Sequence, residues 1–142
     1  DGKNKMSKSL GNHLALDEGS DSLWKKLSTA VTDPRRVRRT DPGEPNECNV
    51  FTLHGFFSDE ETIQKVETGC RSACIGCIDC KKMLCRFMDE WMEPFREKNA
   101  ALRKDRQYVR DVLDNGAKKA RAQAEATMDE VRTVVGVRGS FG

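Results

Sequence analysis

The chain has 142 residues, 37% of them hydrophobic and 34% charged, with a net charge of +2. That length builds one domain with a modest core, and no apolar run approaches the roughly 18 residues of a membrane span. So small a charge excludes nucleic-acid binding as a default reading, and the polar, charged amino end is no secretory signal, so the expected location is cytoplasmic.

The charge is unevenly spread. Residues 1–39 hold nine Lys or Arg against five Asp or Glu, a net of +4, which leaves −2 for the other 103 residues. Part of the excess sits in "DGKNKMSKSLGN", residues 1–12, which has neither helical nor strand periodicity. It places ammonium groups at Lys5 and Lys8 and hydroxyls at Ser7 and Ser9 on a glycine-containing loop. Such a loop suits a triphosphate, because lysine follows a moving phosphate as a point charge while hydroxyls and amides complete the donors. The run Arg35-Arg36-Val37-Arg38-Arg39 reads either as a solvated face or as a phosphate contact.

Helices follow in order. Ser20 caps an expected helix to about Val31, with Leu23, Trp24, Leu27, Ala30 and Val31 on one face and Asp33-Pro34 as its stop. Residues 34–46 are a loop by their breakers, and a short helix carries Cys48, Val50, Phe51 and Leu53 to Phe57. Ser58-Asp59-Glu60-Glu61 has the form of a capping box for a helix holding Ile63 and Val66 and fading at Gly69. A long helix then runs from about Asp79 towards Lys98, with Leu84, Phe87, Met88, Trp91 and Phe95 inside and Pro94 as a bend. Two more are expected at 105–114 and 117–135, joined at Asn115-Gly116, with Ala117, Ala120, Ala124, Met128, Val131 and Val135 as a buried stripe. The fold class is mainly α, a helical bundle. His54 reads as a packing or helix-surface residue.

Six cysteines lie between Cys48 and Cys85, five of them within sixteen residues. Thiols crowded in this way favour a metal over disulfides. Two quartets are open. Cys74, Cys77 and Cys80 make a C-x₂-C-x₂-C run that needs a remote fourth ligand such as Cys48, whereas Cys48, Cys70, Cys77 and Cys80 make a long spacer followed by C-x₆-C-x₂-C. Both an iron–sulfur cluster and zinc accept four thiolates.

The string Lys5-Met6-Ser7-Lys8-Ser9 resembles the KMSKS signature of class I aminoacyl-tRNA synthetases, and "DGKNKMSKSLGN" resembles its form in the tryptophanyl family. "LSTAVTDP" (27–34), "CNVFTLHGFF" (48–57), "MEPFREK" (92–98) and "YVRDVLDNGAKKARAQAEATMDEVRTVVG" (108–136) are similar to the carboxy-terminal half of that family's bacterial members. The resemblance implies that Lys5, Met6, Ser7, Lys8 and Ser9 bind ATP with Mg²⁺, and that Lys5 and Lys8 are catalytic, stabilising charge on departing pyrophosphate. It implies a loop at 1–16 left from a Rossmann-type domain lying upstream with the tryptophan pocket, a helical anticodon-binding domain at 17–136, and a tail at 137–142. Alone, such a piece is expected to be inactive. The expected partners are tRNA(Trp), ATP, tryptophan through the upstream domain, and a second copy in a homodimer.

Some family members carry a [4Fe–4S] cluster on a pattern like the second quartet, which assigns Cys48, Cys70, Cys77 and Cys80 as ligands. The 21 residues between Cys48 and Cys70 fall one short of the family form. Arg71, Lys81, Lys82 and Arg86 become candidate anticodon contacts, and Cys74 and Cys85 spare thiols. The alternative function is a freestanding iron–sulfur or zinc module that grips RNA without catalysis; the KMSKS string speaks for the enzyme, since such a module has no use for it.

Overall fold

The periodic segments become helices. The computed structural model describes residues 2–137, and among them are five α-helices, one 3-10 turn and no strand, as a mainly α chain requires. The helices are α1 (Ser20–Ser28), α2 (Asn49–Phe57), α3 (Glu60–Arg71), α4 (Cys77–Lys104) and α5 (Arg106–Val134), with the 3-10 turn at Pro45–Glu47. The expected tail lies, apart from Val137, outside the described residues.

The chain divides into two compact units, Asp1–Asn99 and Ala100–Gly142. In the first, Leu23 and Leu27 of α1, Cys48 and Val50 around the start of α2, and Leu84, Met88 and Met92 of α4 form one buried cluster. Leu84, Met88 and Met92 repeat every four residues and so share one ridge of α4. Trp91 and Phe95, expected inside, lie on the neighbouring ridge and remain 46% and 41% exposed. They pack on each other, with Phe57 edge-on to Trp91 at 5.3 Å.

Caps differ from expectation in two places. Gly19, not Ser20, is the N-cap of α1, and the helix ends at Ser28. At α3 the cap is Asp59, whose carboxylate accepts the Thr62 N–H at 2.8 Å. A carboxylate suits the positive end of the helix dipole better than a hydroxyl. Ser58 instead closes α2 and hydrogen-bonds Nδ1 of the fully buried His54 at 2.7 Å.

Helix α3 ends in a Schellman turn. The Cys74 N–H donates to the Gly69 carbonyl at 2.8 Å and the Ala73 N–H to the Cys70 carbonyl at 3.2 Å. Ala73 occupies the left-handed position with φ 58°, where glycine is usual. A Cβ on Gly69 would come within 3.1 Å of the Ile75 side chain, so the returning chain rests directly on the helix backbone.

The second unit is dominated by α5. This is one helix through Asn115-Gly116, where two were expected. A single interior glycine costs about 1 kcal/mol against alanine, too little to break a helix flanked by Ala, Lys and Arg. The stripe expected to be buried is exposed, with Met128 and Val131 at 44% and 45% and no buried residue anywhere on the helix. Among its described residues the unit offers α5 no opposing layer of its own.

Candidate functional site

Residues 5–12 form a tight loop tied by its own polar groups. Asn12 reaches back across it: Oδ1 accepts the Ser7 N–H at 2.7 Å and Nδ2 donates to the Lys5 carbonyl at 3.4 Å. The Ser7 and Ser9 hydroxyls are 2.7 Å apart, and the Gly11 N–H donates to the Lys8 carbonyl at 3.2 Å. Gly11 sits at φ +65°, a left-handed turn residue with open space around it, so glycine serves the backbone angle there. The Lys5 and Lys8 side chains are exposed and have no ion pair or hydrogen bond among the described residues.

The segment after the loop is clamped to α1. Glu18 Oε2 takes Lys26 Nζ at 2.6 Å and the Ala15 N–H at 3.1 Å, and its other oxygen accepts the Ser22 hydroxyl. The Lys26 hydrogen bond is the main reason that the Glu18 carboxyl is held down to about 2. Lys26 also donates to the His13 carbonyl at 3.0 Å. Below the loop is a cavity of about 340 Å³, bounded by Met6, Asn12, His13, Lys26, Ala30 and Leu53 among others. That volume lies within the range of small-ligand sites.

The cysteines are all free thiols. Cys48 precedes α2, Cys70 lies in the last turn of α3, and Cys77 and Cys80 are in the first turn of α4. Cys80 is pushed up to about 12, first by burial and then by the charges of Cys48, Cys70 and Cys77. Burial likewise raises Cys70, with Cys48 and Cys77 adding and Arg36 opposing. These four thiols therefore share one electrostatic neighbourhood. Cys74 is exposed, with its sulfur towards the Ser72 carbonyl, and Cys85 is raised by burial and by Asp89. Among the described residues no three His, Cys, Asp or Glu side chains are gathered as ligands to one metal ion.

The loop after α1 reaches the same thiols. Buried Asp33 organises it, accepting the Glu44 N–H at 2.8 Å and the Arg35 N–H at 3.0 Å, which with the Arg35 guanidinium lowers its pKa. Arg36 turns inward from the basic run: it donates to the Ile75 and Arg39 carbonyls and lies 3.7 Å from Cys70 Sγ. The Gly43 N–H donates to the Cys70 carbonyl at 3.0 Å, and a Cβ there would meet Cys70 Sγ at 2.6 Å. Nε2 of His54 contacts Cys80 at both its carbonyl (3.2 Å) and its sulfur (3.4 Å), and burial lowers the His54 pKa.

Of the four candidate RNA contacts, Lys81 is corrected. It is buried, and Nζ donates to the Ser28 carbonyl at 2.8 Å, bridging α4 to the end of α1. Arg71 is engaged by Glu44 and Glu67 at 2.8 and 3.2 Å. Lys82 is exposed, and Arg86 is exposed over the Phe87 ring. Sequence reasoning passed over Asn12, Glu18, Asp33 and the inward turn of Arg36. Asn12 stood in the quoted loop string, but only the folded turn shows that it faces Ser7.

The family profile "tRNA synthetases class I (W and Y)" matches residues 1–93. The tryptophan–tRNA ligase of Deinococcus radiodurans is 51% identical over 136 residues, 96% of this chain and 41% of that protein. The one from Thermotoga maritima is 44% identical over 90% of this chain and 39% of its own length. Among solved structures, tryptophanyl-tRNA synthetase from Campylobacter jejuni, complexed with ADP and tryptophan, superposes with a TM-score of 0.77 at 28% identity, covering 93% of this chain and 41% of that one. The chain thus spans about two-fifths of the length of these relatives.

Proposed function

The chain belongs to the class I tRNA synthetase family of tryptophan and tyrosine enzymes, and we propose that it serves as the carboxy-terminal part of a tryptophan–tRNA ligase. Tryptophan is favoured over tyrosine because the similar proteins named above are all tryptophan enzymes. In this reading residues 1–16 are the phosphate-binding loop of a nucleotide domain, and residues 17–136 are the helical domain that meets the anticodon. ATP with Mg²⁺, tryptophan and tRNA(Trp) are the substrates of the whole cytoplasmic enzyme, which works as a homodimer.

The observation that carries this reading is the Lys5–Ser9 string on an exposed loop whose two ammonium groups have no partner among the described residues. When the tryptophan carboxylate attacks the α-phosphorus of ATP, a carboxyl–phosphate bond forms and the bond to pyrophosphate breaks. Negative charge grows on the leaving oxygens. Lys8 and Lys5 meet it with preplaced positive charge, and the Ser7 and Ser9 hydroxyls add neutral donors. The helical domain contributes no chemistry; it fixes the tRNA.

Cys48, Cys70, Cys77 and Cys80 are the thiols that would hold a [4Fe–4S] group. Their fit rests on the shared electrostatics of Cys70 and Cys80 and on Gly43, whose missing side chain leaves room at Cys70 Sγ. When bound, the group supplies four iron–thiolate links across the ends of α2, α3 and α4. Zinc, which also accepts four thiolates, is the alternative occupant of the same residues. Anticodon bases are unpaired and can be read by splaying. Lys82 and Arg86 are exposed cations able to meet their phosphates, Arg86 beside Glu90 at 3.9 Å.

A graft tests the catalytic part. Residues 1–137 replace the matching segment of the Deinococcus radiodurans enzyme, and tryptophan-dependent pyrophosphate exchange is measured. The graft should be active, and Lys8→Ala should reduce exchange by about 10²–10³-fold without changing the melting temperature. Equal exchange in graft and Lys8→Ala would remove the role assigned to this loop.

A further inference from the structure

The loop holds its phosphate-seeking groups in two different states. The cationic groups of Lys5 and Lys8 are exposed and have no partner among the described residues. The amide and hydroxyl donors are instead engaged within the loop: the Ser7 N–H on Asn12 Oδ1 at 2.7 Å and the Ser7 hydroxyl on that of Ser9 at 2.7 Å. Phosphate cannot use the Ser7 amide while Asn12 holds it. Asn12 grips from both sides, since Nδ2 also donates to the Lys5 carbonyl at 3.4 Å, and the left-handed turn at Gly11 is what returns it beneath the string.

We propose that Asn12 is a neutral latch on the phosphate loop, a positioning residue that keeps the Ser7 amide in reserve until an anionic phosphate oxygen displaces the side-chain carbonyl. This rests on the phosphate-binding role given to the loop above. The choice of asparagine follows from relative acceptor strength. A hydrogen bond to a charged acceptor is about twice as strong as one to a neutral acceptor, so phosphate outcompetes an amide oxygen. A carboxylate at the same position would hold Ser7 N–H as firmly as the phosphate does and would repel it. With no acceptor there, the amide would be unlatched at all times. Lys5 and Lys8 attract the anion at long range, and the exchange of partners at Ser7 follows. The loop closes on phosphate only at the cost of opening the latch, and ligand affinity is lowered by the fraction of loops that are latched.

The ¹⁵N-labelled graft described above tests this, with inorganic pyrophosphate and Mg²⁺ as the probe. In the parent, the Ser7 amide should exchange with deuterium more slowly than its exposed loop neighbours. Asn12→Ala should speed Ser7 exchange by about tenfold and tighten pyrophosphate binding by about five- to tenfold, read from the shifts of residues 5–9. Asn12→Asp should keep Ser7 protected and weaken pyrophosphate binding below the parent. The order Ala, Asn, Asp is the signature of a latch. Ser7 exchange unchanged in Asn12→Ala overturns the proposal, as does pyrophosphate that shifts the loop but binds Asn12→Ala no tighter; in both cases the phosphate-loop reading survives. Pyrophosphate that shifts no residue of 5–9 in any variant overturns that reading and the latch with it.

Discussion

Single side chains decide where the loop and its neighbours sit. Glu18 is the clearest case, because one carboxylate joins the segment after the loop to α1 through Lys26, Ser22 and the Ala15 amide. Its pKa falls from 4.5 to about 2 in the folded chain. A carboxyl with a lowered folded pKa stabilises the fold above its unfolded value and loses that contribution as it is protonated in the folded state. Glu18→Gln should therefore cost about 1.5–3 kcal/mol in urea unfolding at pH 6, as expected for hydrogen bonds to a charged group. The gap between parent and variant should narrow as pH falls from 4.5 towards about 2. A gap that is constant across that window would mean that the ion pair contributes nothing. Lys81 makes the complementary point: the same residue type, read as an RNA contact from its charge, is buried on the Ser28 carbonyl and serves packing.

At the scale of elements, α3 and α4 owe their close return to the turn at Ala73. A non-glycine residue in the left-handed region costs roughly 1–2 kcal/mol, and the turn's two backbone hydrogen bonds hold it there. Ala73→Gly should raise the unfolding free energy by about 1 kcal/mol, with no change in the helical circular dichroism. A destabilised Ala73→Gly would show that the turn does not limit this junction. The helices themselves were legible in the sequence, because Leu23, Leu27, Leu84 and Met88 repeat at the helical period and do meet in the core. The faces were less legible. Trp91 and Phe95 are as apolar as their neighbours, and only the ridge that α4 turns inward separates them from Met88 and Met92. The break expected at Asn115-Gly116 overvalued a local signal against the helix formers on either side. Caps were the least legible, since Ser58 and Asp59 are adjacent and both able to cap, and the difference lies in which one α2 needs for its own end.

On the scale of the whole molecule, the chain spans two-fifths of its relatives' length, and the proposed reading gives it a phosphate loop and a four-thiol site. The sequence offers the candidate site as residue types, the Lys5–Ser9 string and clustered thiols, and the structure adds geometry: Arg36 joins residues 36 and 70, and no local pattern announces a contact of that reach. The four-thiol reading is checked by metal content. Chain purified without air should be brown and carry about four irons, lost in Cys77→Ser and retained in Cys74→Ser. A colourless protein with one zinc would contradict the cluster, and iron lost equally in Cys74→Ser would select the other quartet. We propose that this chain brings a working pyrophosphate clasp to a tryptophan enzyme, and tryptophan loading onto tRNA(Trp) by the graft described above tests that most directly. The graft should charge tRNA, and Lys8→Ala should bind tRNA as tightly but charge it at least a hundredfold more slowly, on the order of one lost charge-stabilising donor. A folded, tRNA-binding graft that charges nothing, or a Lys8→Ala variant that charges at the parent rate, would contradict it.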